Sequence, residues 1–270
     1  MLVEILKSIL LGVVEGITEW LPISSTGHMI LVNSFLNNYS EFTASDLYIY
    51  VIQFGAILAV VTMFFRKLNP LAPSKSAGEK KSTWEMWFKV IVACLPAAVF
   101  GLLLDPIMEK FETPYVVAAT LIIYGVLFIF IENKHKTPRI NDLATLDYKT
   151  ALLIGLFQVL SIIPGTSRSG ATILGAMILG LSRGAAAEFS FFLAIPVMVG
   201  VSFLKIISNL ELMTADNIII LLTGMAVAYI TSMICIKFLM EFVKKHDFKS
   251  FGYYRIVLGI IVILYFSLIG

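Results

Sequence analysis

Apolar runs recur along the whole chain and are separated by short polar or basic stretches. Six of them approach the ~20 residues that a helix needs to cross a bilayer, and they predict spans at about 47–65, 86–104, 115–132, 188–206, 217–238 and 252–268. Two further apolar helices are broken, by Pro22 and by Pro164. The pattern therefore predicts two re-entrant helical hairpins, over 1–36 and 150–180, each followed by three spans.

The two halves of the chain have the same layout. Three residues of the second half fall opposite three of the first: Gly155 opposite Gly12, Gln158 opposite Glu15 and Pro164 opposite Pro22. We divide the chain into a first repeat at 1–133, a connector at 134–149 and a second repeat at 150–270. If each hairpin enters and leaves on one side, three crossings turn the second repeat upside down. The predicted fold class is an all-α integral membrane protein with an inverted-topology repeat, an architecture that forms sites near the midplane.

Composition supports the membrane assignment and excludes other classes. The chain is 59% hydrophobic and 14% charged, with a mean hydropathy of +0.91, unlike an ordinary soluble domain. A net charge of +2, without a basic stripe interleaved with aromatics, argues against a nucleic-acid partner. Cys94 and Cys235 lie in apolar segments without metal-ligand spacing, so we expect two free thiols.

The distribution of lysine and arginine predicts the orientation. Arg66 to Lys89, Lys134 to Lys149, Arg183, and Lys237 to Arg255 together hold 16 of the 20. The positive-inside rule places these stretches in the cytoplasm. The first hairpin then enters from outside, the second from the cytoplasm, and both termini lie outside. We also expect Arg66 to Lys89 to form an irregular loop, because it contains two prolines and a glycine.

Two glutamates mark the first hairpin. Glu15 and Glu19 are four residues apart and share a helix face, with Gly12 and Gly16 leaving room beside them. A carboxylate at the bilayer centre costs ~2.5 to 3.5 kcal/mol, so the pair needs a cation or a proton. The pair could hold a divalent cation, or one member could act as a general acid or base. The structural alternative is a helix at the interface with both glutamates in water.

Three hydroxyls and a histidine follow Pro22. Ser24, Ser25 and Thr26 stand at the start of a helix, where a hydroxyl is an ordinary N-cap. A helix start with free N–H groups and hydroxyls around it is also an anion site. His28 comes one helical turn after Ser24, close enough to share that site.

Arg168 is the corresponding feature of the second hairpin. It is flanked by mostly apolar chain on both sides, so it requires an anion. Glu15 or Glu19 could supply one as a structural salt bridge. The neighbouring residues favour phosphate, because glycines let the backbone approach it and hydroxyls can donate to it. These neighbours are Gly165, Thr166, Ser167, Ser169, Gly170 and Thr172.

Three motifs together resemble the undecaprenyl-diphosphatase family of the bacitracin-resistance type. They are the Glu-x-x-x-Glu of Glu15 and Glu19, the Ser-Ser-Thr-Gly-His of Ser24 to His28, and the Pro-Gly-x-Ser-Arg-Ser-x-x-Thr of Pro164 to Thr172. The resemblance covers essentially the whole chain. It implies dephosphorylation of undecaprenyl diphosphate to undecaprenyl phosphate, which recycles the lipid carrier for cell-wall synthesis. It also implies a bacterial plasma-membrane protein whose site opens to the outside. The residues implied in catalysis are Glu15, Glu19, Ser25, His28 and Arg168, with an associated divalent cation, Mg²⁺ or Ca²⁺.

The sequence does not decide which group is the nucleophile, and it allows one alternative function. Our preferred nucleophile is the hydroxyl of Ser25, deprotonated by His28 or Glu19, over attack by water or by His28. The alternative function is a transporter or flippase for a polyprenyl phosphate or another anionic lipid, which would need the same anion site. A structural scaffold does not explain Arg168. The expected partners are undecaprenyl diphosphate and membrane lipid, and a homodimer is left open.

Overall fold

The computed structural model describes residues 1–36, 42–134 and 137–269, so residues 37–41, part of the predicted connector 134–149, and residue 270 lie outside it. The regular secondary structure in this part of the chain is helical, apart from an isolated bridge between Ile140 and Leu181. The helices are α1 (Leu2–Thr18), α2 (Ser25–Phe35), α3 (Asp46–Met63), α4 (Phe65–Leu68), α5 (Ala77–Met108), α6 (Pro114–Asn133), α7 (Tyr148–Val159), α8 (Arg168–Ile178), α9 (Arg183–Ser208), α10 (Ala215–Lys245) and α11 (Lys249–Ile269).

The six predicted spans are confirmed as helices long and apolar enough to cross a membrane. They are α3, α5, α6, α9, α10 and α11. Large apolar side chains such as Leu102, Phe203 and Ile234 are exposed on them. Exposed apolar surface on helices of this length is what contact with lipid requires. The protein is therefore an all-helical, multi-pass membrane protein.

The predicted loop from Arg66 to Lys89 is wrong, because α5 begins at Ala77. Ser76 and Glu79 form a capping box: the backbone N–H of Ser76 donates to Glu79 Oε2 at 2.8 Å, and the N–H of Glu79 donates to Ser76 Oγ at 3.3 Å. These bonds begin α5 before the apolar run that was predicted at 86–104. Basic residues that the composition assigned to a loop therefore lie on the first turns of a 32-residue helix.

The two segments predicted as hairpins are the helix pairs α1–α2 and α7–α8, and both pairs break in the same way. A helix of 17 residues (α1) or 12 residues (α7) ends, and an 11-residue helix (α2 or α8) follows. The residues that cap α2 and α8, Ser24 and Ser167, have positive φ of 73° and 69°. Each serine Oγ accepts a hydrogen bond from the N–H of the glycine three residues on. Left-handed backbone costs ~1–2 kcal/mol at such residues, so these turns are held by their surroundings.

Small residues let the hairpin helices pack closely on the long spans. α1 packs against α10, where a side chain at Gly16 would collide with Thr231, and α7 packs against α5, where one at Gly155 would collide with Ala93. Asp147 caps α7, and the N–H of Thr150, donating at 2.7 Å, holds the pKa of that carboxyl below its usual range. α8 packs against α6, α7 and α9, and most of its side chains are buried. The start of α8 thus lies inside the protein.

Candidate active site

An ion pair joins the two hairpins. Arg168, the first residue of α8, donates from Nη2 to Oε1 of Glu19 at 2.7 Å. The side chains are only 11% and 9% exposed, so the pair is shielded from water. Arg168 Nη1 donates to the carbonyl of Ser190 at 2.8 Å, and the guanidinium lies 5.8 Å from the ring centre of Trp20. The guanidinium is therefore held from several sides at the point where the hairpins meet.

Ser25 extends this ion pair into a chain of three groups. Its Oγ donates to Oε2 of Glu19 at 2.8 Å, so the two oxygens of Glu19 serve Ser25 and Arg168 separately. Ser25 is half-buried, which leaves its hydroxyl accessible from one side. The structure thus brings together a hydroxyl, a carboxylate and a guanidinium that the sequence places on two distant segments.

Glu15 lies one helical turn before Glu19 and is wholly buried. No donor group of the described residues reaches its carboxylate oxygens, and the charged groups acting on it are the carboxylate of Glu19 and the guanidinium of Arg168. A buried carboxyl beside another carboxyl cannot stay charged and unpaired, so it carries a proton or meets a cation. The interfacial alternative, with both glutamates in water, is therefore wrong.

Unsatisfied polar atoms are concentrated at this site. Within the described ranges, eight buried side-chain nitrogen and oxygen atoms have no partner. They belong to six residues: Glu15, Trp20, Gln158, Thr166, Arg168 and Arg255. Five of the six lie in the hairpins, and the guanidinium of the sixth binds their turns, as described below. Buried polar groups are normally paired with protein or water, so such a cluster indicates a place for polar ligands.

Most of the other predicted phosphate-binding hydroxyls have structural partners. Ser169 Oγ donates to the carbonyls of Glu19 and Leu21 at 3.0 and 3.3 Å. Thr172 Oγ1 donates to the carbonyl of Arg168 at 2.9 Å and lies 2.7 Å from Ser190 Oγ. Ser24 and Ser167 use their hydroxyls as helix caps, Thr166 Oγ1 is buried without a partner, and Thr26 is exposed. Gly165 and Gly170 line the second turn, and Gly165 has a φ of +82°.

His28 does not contact Ser25 by a hydrogen bond. Its Nδ1 lies 2.7 Å from the carbonyl of Ser24, and its Nε2 lies 2.7 Å from the hydroxyl of Tyr254. A carbonyl only accepts, so Nδ1 carries the proton and Nε2 of the neutral ring accepts from the phenol. The geometry therefore favours Glu19 over His28 as the group that takes a proton from Ser25.

Arg255 is a residue of the site that the sequence reasoning missed. We predicted it in the cytoplasm, as the last residue of the basic stretch Lys237 to Arg255, but it is wholly buried in α11. Its Nη1 donates to the carbonyl of Pro22 at 3.1 Å, and its Nη2 donates to those of Gly165 and Thr166, also at 3.1 Å. It thus ties the two turns to each other. Its place inside the last predicted apolar run was the signal, since arginine at membrane depth needs partners.

The chain is similar to known proteins over nearly its whole length. Residues 8–261 match the family described as bacitracin resistance protein BacA. A Desulfitobacterium hafniense protein named undecaprenyl-diphosphatase is 56% identical over 270 residues, covering 98% of this chain and 97% of that protein. Proteins of the same name from Streptococcus thermophilus and Latilactobacillus sakei are 54% and 56% identical, covering 98% and 96% of this chain and 94% and 97% of their own lengths. The chain belongs to the bacitracin resistance protein BacA family.

Proposed function

We propose that this protein hydrolyses undecaprenyl diphosphate to undecaprenyl phosphate and inorganic phosphate, and so recycles a lipid carrier for cell-wall synthesis. The names of the relatives give the substrate. The observation that carries the chemistry is the buried chain of Arg168, Glu19 and Ser25 with the unpartnered Glu15 beside it. A site of this kind between hydrophobic helices suits a phosphate group on a lipid.

In this proposal, Arg168 is the group that binds the diphosphate. A guanidinium matches phosphate oxygens with two parallel N–H bonds, and its Nε has no protein partner. In the structure, Arg168 Nη2 binds Oε1 of Glu19. When a diphosphate binds, the guanidinium turns toward the phosphate oxygens and releases Oε1 of Glu19. Substrate binding therefore frees the carboxylate that accepts the proton from Ser25.

Ser25 is the nucleophile in our preferred mechanism. Its Oγ attacks the terminal phosphorus, and its proton passes to Glu19 Oε2, to which it already donates at 2.8 Å. The bond from that phosphorus to the bridging oxygen breaks, and the electron pair leaves with undecaprenyl phosphate. Water then hydrolyses the phosphoserine, which restores the hydroxyl and releases inorganic phosphate. Direct attack by water is the alternative, with Glu19 accepting the proton of the water.

Glu15 and Glu19 fit a hard divalent cation such as Mg²⁺ or Ca²⁺ by their donor chemistry, because they offer buried carboxylate oxygens, two of them unpartnered. No group of three or more His, Cys, Asp or Glu suited to a metal occurs in the part of the chain that the structure covers. Any further ligands would be water and phosphate oxygens, as is usual for Mg²⁺. When bound, the cation would neutralise charge on the phosphates.

The proposed architecture is an inverted repeat with the boundaries 1–133, 134–149 and 150–270. Its support is the matched capping of α2 and α8 by Ser24 and Ser167, both with positive φ. The packing of α1 on α10 also corresponds to that of α7 on α5. The hairpins would then be re-entrant and enter from opposite faces.

We further propose a bacterial plasma-membrane location with the site opening to the outer side. The basic stretches support this orientation, although the burial of Arg255 removes one residue from that count. A homodimer remains a proposal. Cysteine labelling of Lys81 and Lys110 variants in intact cells tests the orientation, since the two positions should lie on opposite sides of the membrane.

One assay tests the function against a flippase alone. Purified protein in detergent is incubated with undecaprenyl diphosphate, with and without chelator, and inorganic phosphate is measured. We expect phosphate release, and a loss of most of it with chelator if Glu15 and Glu19 hold the cation. A transporter without hydrolytic activity releases nothing, since detergent leaves no compartments. Unchanged release after exhaustive chelation would assign a proton, and not a cation, to Glu15.

Replacing Arg255 tests whether the two turns must be tied together. We expect Arg255→Met to lower kcat about 10- to 100-fold with a smaller change in KM, since a displacement of ~1 Å can cost 10²-fold in rate. The kcat of Arg255→Lys should lie between those of the wild type and Arg255→Met, because lysine keeps the positive charge but lacks the forked guanidinium. Lys89→Met is the control, as Lys89 is another buried cation, on α5. Equal effects of Arg255→Met and Lys89→Met would contradict a positioning role.

Replacing Tyr254 tests whether its hydroxyl positions His28. A single hydrogen bond contributes ~0.5–1.5 kcal/mol, so Tyr254→Phe should lower kcat/KM about three- to tenfold. Tyr253→Phe is the control, because Tyr253 is the exposed neighbour on the same helix. If the two variants have the same kcat/KM, the carbonyl of Ser24 alone is enough to hold the imidazole.

A further inference from the structure

A cavity lies away from the active site, between α6, α8, α9 and α10. Its volume is about 680 Å³. Its distance from the site can be measured along two helices, α6 and α8. Thr120, which donates to the carbonyl of Pro164 in the second turn, is about 18 Å along α6 from Glu132 in the cavity wall. Arg168 is likewise about 15 Å along α8 from Ile178, which also lines the cavity. The catalytic groups therefore play no part in this cavity.

The cavity is apolar where it faces lipid and cationic at one end. Leu127, Phe130 and Ile178 line it with exposed side chains, so it opens on the lipid-facing surface. Lys134 and Lys244 also line it, at the C-terminal ends of α6 and α10. A phospholipid has the same arrangement along the membrane normal, with acyl chains at the level of the hydrocarbon core and an anionic phosphate at the interface.

The charges in the cavity leave an excess of cations. Arg183 donates to Glu132 from Nε at 2.9 Å and from Nη2 at 2.6 Å, and the Glu132 side chain is 3% exposed. This pair is neutral overall and forms part of the cavity wall. Lys134 lies over the ring of Phe130 at 4.4 Å, and Lys244 pairs with the exposed Glu241. An exposed pair contributes little, so Lys244 can exchange the carboxylate of Glu241 for a phosphate, and the ammonium group of Lys134 can exchange water for one.

We propose that this cavity binds an anionic phospholipid of the surrounding leaflet, with its phosphate between Lys134 and Lys244 and an acyl chain along Leu127, Phe130 and Ile178. Positive charge between membrane helices recognises anionic headgroups, whereas a zwitterionic headgroup gains much less from two lysines. This inference is independent of the proposed hydrolysis, because it uses none of the catalytic residues.

Gly184 offers a way to fill the cavity without disturbing the fold. It lines the cavity, and a side chain added there meets nothing within 4 Å. Gly200 lies on the same helix, also with open space, and lines no part of the cavity. Gly184→Leu and Gly200→Leu are therefore a matched pair. Phosphate release from undecaprenyl diphosphate shows that each variant is folded.

Lipid retention by the purified protein is measured by native mass spectrometry, with phosphatidylglycerol, phosphatidylcholine and undecaprenyl phosphate added separately. We expect the wild type to retain phosphatidylglycerol over phosphatidylcholine. Each lysine near a headgroup contributes about fivefold in affinity, so Lys134→Gln with Lys244→Gln should weaken phosphatidylglycerol binding about 25-fold. Lys81→Gln with Lys245→Gln removes the same charge outside the cavity and should change the affinity for phosphatidylglycerol little. Gly184→Leu should abolish retention, and Gly200→Leu should preserve it.

Three results would overturn the proposal. One is equal retention of phosphatidylglycerol by Gly184→Leu and Gly200→Leu, which would mean that lipid binds elsewhere. Another is equal retention of phosphatidylglycerol and phosphatidylcholine, which would remove the charge argument. The third is Gly184-dependent binding of undecaprenyl phosphate that is tighter than that of phosphatidylglycerol, which would give the cavity a different occupant. Loss of phosphate release alone would leave lipid retention unchanged, so the two proposals fail separately.

Discussion

Arg168→Ala is expected to lower phosphate release from undecaprenyl diphosphate at least about 10³-fold. Removing one donor that stabilises a transition-state oxyanion already costs about 10²–10³ in kcat, and Arg168 offers several N–H groups on one planar cation. The variant also leaves Glu19 buried without its cation. We expect Arg168→Lys to retain less than about one hundredth of the activity, because a point charge cannot form the two parallel bonds. Steady-state release of phosphate in detergent measures both variants.

The lysine variant distinguishes a phosphate clamp from a structural salt bridge. If Arg168 only neutralised Glu19, a lysine could replace it with little loss of activity. High activity of Arg168→Lys would therefore contradict the clamp. Arg66→Ala removes an exposed arginine and should leave release unchanged. Thermal unfolding in detergent, measured on each variant, separates loss of the fold from loss of chemistry.

The membrane-spanning architecture could be predicted from the sequence, because the bilayer imposes one simple requirement. A span needs about 20 apolar residues in an α-helix, and α3, α6 and α11 show this pattern almost to their ends. The start of α5 was missed, since proline, glycine and lysine indicate a loop by composition. The capping box of Ser76 and Glu79 has its own sequence pattern and could have been used.

The contacts inside the site were predictable only in part. Arg168 and Glu19 are buried charges of opposite sign in hairpins that the repeat predicts to meet, so their proximity follows from a general requirement. Arg255 and Gly165 are 90 residues apart in the chain, and their bond depends on how α11 packs on α6. No local pattern contains that information. The same holds for Tyr254 and His28, which are 226 residues apart.

Hydroxyl groups were the hardest to assign, because the same groups cap helices and bind phosphate. Ser24 and Ser167 cap α2 and α8, and Ser169 binds two backbone carbonyls. Ser25 differs from them, since its partner is the carboxylate of Glu19. A hydroxyl bound to a carbonyl is fixed in place by the backbone, whereas one bound to a carboxylate can lose its proton. This difference makes Ser25 the preferred nucleophile.

Ser25→Ala is expected to reduce phosphate release by about 10³-fold or more, because removing a covalent nucleophile removes the two-step route. If water attacks directly, the variant loses only the bond to Glu19, and a hydrogen bond to a charged group contributes ~1.5–3 kcal/mol. That loss is about 10- to 150-fold. The rate of phosphate release therefore separates the two mechanisms.

A covalent intermediate gives the second and independent measurement. Acid quenching of the wild-type protein during turnover should leave one phosphoryl group on the peptide that contains Ser25, detected by mass spectrometry. Ser34→Ala is the control, because Ser34 lies on the same helix and its hydroxyl donates to Tyr265 at 3.1 Å, away from Glu19. It should keep both the activity and the phosphoryl group. A wild-type protein that is never phosphorylated, together with a Ser25→Ala variant of substantial activity, would transfer the attack to water held by Glu19.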